Sequence, residues 1–220
     1  MKQKINKENN FYYLTGALIL LLISSSLAPY GLLGYVLDGF VVLTFISCLL
    51  SLRFDTRWHR FLIGLAVCWL VAVIIHRLFD FEKIDSVRLL LMLTFFFGTF
   101  KSIARQILFT DNVSANKIIG SMALFLLLGL MWAVMYLLIL EFSPEAFNGI
   151  SYLPWSENFS RMCYFSFVTL TTLGYGDVSP ALPFSEVVVY LEAITGVFYM
   201  AIVVASLVSS NQSNQEKQNG

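Results

Sequence analysis

Residues 171 to 177 read TTLGYGD and set two glycines, Gly174 and Gly176, at alternate positions in an apolar neighbourhood. In an ordinary strand successive carbonyls point to opposite sides, so only every second oxygen can face a given axis. Aiming consecutive oxygens at one axis requires the backbone to alternate between right-handed and left-handed conformations, and left-handed positions favour glycine. The carbonyls of Thr172, Leu173, Gly174 and Tyr175, with the Thr172 hydroxyl below them, would then line a tube and replace the water shell of a cation. Bare carbonyls survive in few places, so the elements around the heptapeptide decide whether this chemistry is possible.

Composition gives the setting. The 220 residues are 58% hydrophobic, 15% aromatic and 13% charged, with mean hydropathy +0.75, the balance of an integral membrane protein. A formal net charge of zero gives no sign of a nucleic-acid partner. Cys48, Cys68 and Cys163 lack metal or disulfide spacing and read as apolar packing residues.

A membrane core of about 30 Å needs about 20 residues of helix. Uncharged runs predict spans near 11–28, 33–52, 59–79, 87–107, 118–140 and 184–210, the first two separated by the turn signal Pro29-Tyr30-Gly31. The expected fold is an all-α membrane protein of six transmembrane helices, with a re-entrant pore helix and filter loop between the fifth and sixth. Lys2, Lys4 and Lys7 before an apolar core, with SSSLA following, also admit a secretory signal, although Pro29 would then follow the cut.

Lys and Arg distribution orients the spans. With both termini cytoplasmic, the inner segments hold Lys2, Lys4, Lys7, Arg53, Arg57, Arg60, Lys101, Arg105, Lys117 and Lys217, and the outer ones Arg77, Lys83, Arg88 and Arg161. Asp38, Asp80, Glu82, Asp85, Glu141, Glu145, Glu157, Asp177 and Glu186 would make the outer face acidic and concentrate cations there.

This topology puts TTLGYGD on the outer side, after SENFSRMCYFSFVTLTT, a half-helix with Ser156 as N-cap and Glu157 in its first turn. Irregular backbone at membrane depth persists only where it is buried in protein or lines a watery cavity. In this context TTLGYGD resembles the selectivity-filter signature of potassium channels. The resemblance covers residues 118 to 210 in the family's order of outer helix, pore helix, filter and inner helix.

The resemblance implies K+ as the permeant ion, held by oxygens of Thr172, Leu173, Gly174 and Tyr175 within a filter that runs through Gly176 to Asp177 at the mouth. It also implies a homotetramer, because one chain supplies one filter strand. No cofactor is implied. Tyr164 and Phe165 match the aromatic pair that braces the filter, and Tyr164 would bond Asp177. Val168 stands where some potassium channels carry a glutamate. Gly196, nineteen residues after Asp177, matches a hinge glycine, with helix contact as the alternative. Met200, Val204 and Leu207 or Val208 would share its face and form an apolar constriction. Glu192 would bond the pore helix behind the filter, lend negative potential to the cavity, or make a polar contact between subunits.

Residues 1 to 110 resemble the four-helix layout of a voltage sensor, but Arg88 is followed by twelve uncharged residues before Lys101 and Arg105. These cations flank the helix as interfacial anchors and form no ladder, so steep voltage dependence is not expected. His59 and His76 lie at span ends and read as interfacial, with pH sensing as the alternative. Residues 211 to 220 form a short polar tail. An enzyme is disfavoured, since no nucleophile, base or metal constellation stands outside the spans. The remaining alternatives are a non-conducting or regulatory pore subunit and a weakly selective cation channel.

Overall fold

The computed structural model describes residues 10–27, 32–51, 56–79, 84–108 and 115–219. It is an all-α membrane protein. Helices α1 (Asn10–Leu27), α2 (Leu33–Ser51), α3 (Thr56–Phe79) and α4 (Ile84–Leu108) precede α5 (Ala115–Phe142), the half-helix α6 (Trp155–Leu170) and α7 (Pro183–Asn219). Five of them, all but α1 and α6, are long and apolar enough to cross a bilayer. The expected first span is shorter: α1 has 18 residues, about 27 Å of helix. The turn at Pro29 and Tyr30, which was expected to end it, lies outside the described residues, as does the segment containing Asp80, Glu82 and Lys83.

The last helix runs past its expected end near Ser210, because α7 stays helical to Asn219. Gln, Asn, Glu and Lys in that stretch permit helix once a packed helix precedes them.

The four-helix region is filled by aromatic packing. Phe45 of α2 stacks on Phe95 of α4 at 4.0 Å and meets Trp69 of α3 edge-on at 5.4 Å. Cys48 lies in this core, and Cys163 is buried in α6, but Cys68 is exposed on α3, so the packing role expected of it is not seen within this chain.

The α1 helix packs against α2, α5 and α6, and the Ser26 hydroxyl lies 2.9 Å from that of Ser160 on α6. The four-helix region thus rests on the half-helix of its own chain.

At the same end of the bundle, Asp38 of α2 accepts hydrogen bonds from Arg77 of α3 (2.7 Å) and Arg88 of α4, and Arg88 also bonds Asp85 at 2.9 Å. The expectation that Arg88 is an interfacial anchor is corrected: it is 4% exposed. Asp38 and Asp85 pair with its two terminal nitrogens inside the bundle, which also withdraws both carboxylates from an acidic outer face.

Asp38→Asn removes the shared partner of two guanidinium groups, and leaving such charges uncompensated costs about 3 kcal/mol. The expected outcome is a clear drop in thermal midpoint for detergent-purified protein. An unchanged midpoint would mean that the two arginines find other acceptors.

Candidate functional site

The site begins at the end of α6. The half-helix starts two residues earlier than an N-cap at Ser156 implies, at Trp155, so Ser156 lies in its first turn and Pro154 takes the cap position without a side-chain bond. The Pro154 carbonyl accepts from Glu157 N (2.9 Å) and Asn158 N (3.2 Å), and its fixed φ suits a helix entry. Sixteen residues later the helix ends in a Schellman motif. Leu173 N donates to Val168 O at 2.9 Å and Thr172 N to Thr169 O at 2.9 Å.

The residue such an ending turns left-handed is Thr172, with φ 60°. Gly174 and Gly176 follow at φ 58° and 78°. The sign of φ therefore alternates over three successive pairs, one more than the glycines announce. A left-handed β-branched residue costs about 1–2 kcal/mol, offset here by the hydrogen bonds closing the helix. A Cβ built on Gly174 or Gly176 meets nothing within 4 Å, so backbone conformation and not space demands glycine. Residues 171 to 177 are all exposed on the single chain.

The outer end of this strand is anchored twice. Asp177 accepts from the Tyr164 hydroxyl (3.1 Å) and pairs with Arg161 (3.0 Å), whose guanidinium also lies 5.3 Å over the Tyr164 ring. Tyr175 stacks on Tyr164 at 6.5 Å. The chain then forms a two-residue antiparallel pair, Phe147–Asn148 (β1) with Ser179–Pro180 (β2). Gly149, at φ 79°, has no room for a Cβ beside the Asp177 carbonyl oxygen. The bond from Tyr164 to Asp177 was expected, whereas Arg161 counted in the sequence only as an outer charge. Its cue was the three-residue spacing to Tyr164.

Behind the strand lies a buried polar junction. The Tyr136 hydroxyl of α5 donates to Glu192 Oε2 of α7, while Ser166 Oγ of α6 lies 2.5 Å from Glu192 Oε1 and 2.8 Å from the Gly129 carbonyl oxygen. Glu192 and Ser166 are fully buried. Of the three roles weighed for Glu192, the geometry gives it the bond to the pore helix. One serine hydrogen cannot serve two acceptors. The count closes when the carboxyl carries a proton, donates to Ser166 and leaves the serine hydrogen for Gly129. Phe165 fills the space beside this junction, 5.0 Å from the Tyr136 ring and 5.7 Å from Phe147. Val168 is buried and serves through its carbonyl.

Gly196 passes so close to the Leu170 carbonyl oxygen that any Cβ would collide with it, and α7 runs through it unbroken. The contact alternative thus has a geometric cause. Gly196 and Met200 line an apolar recess of about 630 Å³ with Leu170, Thr171 and Thr172. The side chain of Val204 lies outside those described.

Residues 122–212 match the ion channel family model. Over 63 residues the chain is 40% identical to the human potassium voltage-gated channel subfamily A member 10, a stretch amounting to 26% of this chain and 12% of that protein. The chain thus matches only a small part of that relative's length. No solved structure matches it.

Glu192→Gln keeps one donor and one acceptor where the protonated acid has them. It should retain wild-type thermal stability, whereas Glu192→Leu, which strands Tyr136 and Ser166, should lose about 2 kcal/mol. Equal damage from both variants in a melting experiment would mean that the junction holds a carboxylate.

Proposed function

We propose that the chain is a potassium channel subunit, four copies of which close around an axis to form a K+-selective pore. The observation that carries this reading is the alternating sign of φ at Thr172, Gly174 and Gly176. Such a strand can turn the carbonyls of Thr172, Leu173, Gly174 and Tyr175 to one side, and its exposure on the single chain leaves that side for ions and sister strands. Oxygen rings from four strands replace the hydration shell of a dehydrated K+. Asp177 stands at the outer mouth, held by Tyr164 and Arg161. The C-terminal end of α6 directs the negative end of its dipole toward the recess below the filter.

In this reading the chain is a multi-pass protein of the cell membrane with both termini cytoplasmic. It is a conduit and not an enzyme, and K+ is permeant ion, not cofactor. The α7 segment below Gly196, at Met200 and Val204, forms the lower gate, with apolar side chains that stop flow by dewetting. Val204→Asp channels with unchanged open probability would place that gate elsewhere. The four-helix region is a scaffold without a gating ladder. Arg88, tied to Asp38 and Asp85, is held in place, so conductance should vary only weakly with voltage.

The test is flux from liposomes loaded with K+ and containing the purified protein. Robust K+ flux with at least tenfold less Na+ flux is expected, and Gly174→Ala should abolish selectivity or conduction while inserting normally, because a Cβ disfavours the left-handed backbone there. Equal Na+ and K+ flux would indicate a weakly selective cation channel. Absence of flux would indicate a regulatory subunit that needs another pore chain.

A further inference from the structure

A polar cavity of about 480 Å³ lies where the ends of α2, α3 and α4 meet the start of the half-helix α6. Its wall carries charged and titratable groups from each of these elements: Tyr35 and Asp38 from α2, Arg77 from α3, Asp85 and Arg88 from α4, and Glu157 from α6. His76 of α3 faces the same space. Among the described residues the ion pairs in this wall neutralise one another, two aspartates against two arginines. The imidazole and Glu157 stand outside these pairs. The His76 Nδ1 is buried without a hydrogen-bond partner, 3.7 Å from the Asp85 oxygen that also accepts from Arg88. The Arg88 Nε is buried and unpartnered as well.

We propose that His76 is a proton-binding site through which acidification on the filter side shifts the seat of the pore helix, an inference that rests for its effect on conduction on the channel reading. A proton taken from solution onto the imidazole creates a cation beside Asp85. Histidine is the side chain whose charge changes between about pH 5 and 8. The new cation competes with Arg88 for the same carboxylate oxygen. Arg88 is the element that connects this cluster to the pore: its guanidinium lies 5.0 Å over the ring of Trp155, the first residue of α6, and 5.7 Å over Trp69. Loosening Arg88 from Asp85 therefore acts on the entry of the half-helix whose far end sets the filter strand. Arg77 faces the cavity from the same helix, its guanidinium occupied by Asp38 and the Tyr35 ring at 3.8 Å. Glu157 faces the cavity from the pore-helix side.

Two measurements test this. In a His59→Gln background, the ¹⁵N imidazole resonances of His76 should respond to pH, and Asp85→Asn, which removes the carboxylate 3.7 Å from Nδ1, should alter that response. In liposomes, K+ flux should change at least threefold as the filter-side solution goes from about pH 8 to about pH 5.5. His76→Gln should match wild type at pH 8 and flatten the response. Since Asp85→Asn removes a partner of Arg88 and can impair folding, the milder His76→Gln flux profile decides independently. A His76 titration unmoved by Asp85→Asn, or a His76→Gln profile identical to wild type, would overturn the proposal. Lack of wild-type flux at every pH would overturn the channel reading instead, and the imidazole titration would then settle the proton site alone.

Discussion

Backbone carbonyls left without partners in a membrane cost several kcal/mol each unless they face protein or a watery path. Residues 171 to 177 are built around this constraint. The rest of the pore module holds them in a backbone conformation they would not adopt alone. The first inversion is made by the ending of α6, where Val168 and Thr169 capture the N–H groups of Leu173 and Thr172 and force Thr172 into the left-handed region. Gly174 and Gly176 continue the alternation with no steric resistance. Helix termination and filter geometry are therefore one event, and the α6 axis fixes where the strand begins.

Three further attachments keep the strand from relaxing into an ordinary loop. Tyr164 and Arg161 hold Asp177 from the preceding helix, the β1–β2 pair presses Gly149 against the Asp177 backbone, and Glu192 fastens α5, α6 and α7 together through Tyr136 and Ser166. Burying a carboxyl in apolar surroundings is expensive, and this one is compensated by two hydroxyl partners. A buried network that is fully satisfied specifies one arrangement of its helices more sharply than apolar contact does. The approach of Gly196 to Leu170 adds a steric lock at the same level.

The heptapeptide and the helices around it were legible because glycine spacing, apolar length and turn residues are local signals. Thr172 was not legible as a left-handed residue, since β-branched side chains resist that conformation and the helix-closing bonds impose it. The Pro154 cap was hidden for a related reason: Ser156 offered a better cap by side-chain chemistry, but the fixed φ of proline set the start of α6 two residues sooner. Tyr164 as partner of Asp177 and Glu192 as partner of the pore helix were within reach of helical spacing and burial logic. Ser166 and Tyr136 were not, because pairing them with Glu192 needs the packing of three helices. The charges of α2, α3 and α4 were read as separate flanks for the same reason. Asp38 and Arg88 lie fifty residues apart in sequence and meet only in the folded bundle.

The four-helix region pairs Asp38 and Asp85 with Arg77 and Arg88 inside the bundle and rests through Ser26 and Arg88 on its own chain's half-helix. Its influence on the pore would pass through the start of α6 and reach the filter at the other end. The central claim is that Thr172 to Tyr175 coordinate dehydrated K+ directly, and anomalous diffraction from tetramer crystals soaked in Tl+ tests it most directly. The account predicts a column of anomalous density on the fourfold axis, level with the carbonyl oxygens of Thr172, Leu173, Gly174 and Tyr175. Density confined to the recess below Thr172, with an empty axis above it, would contradict it.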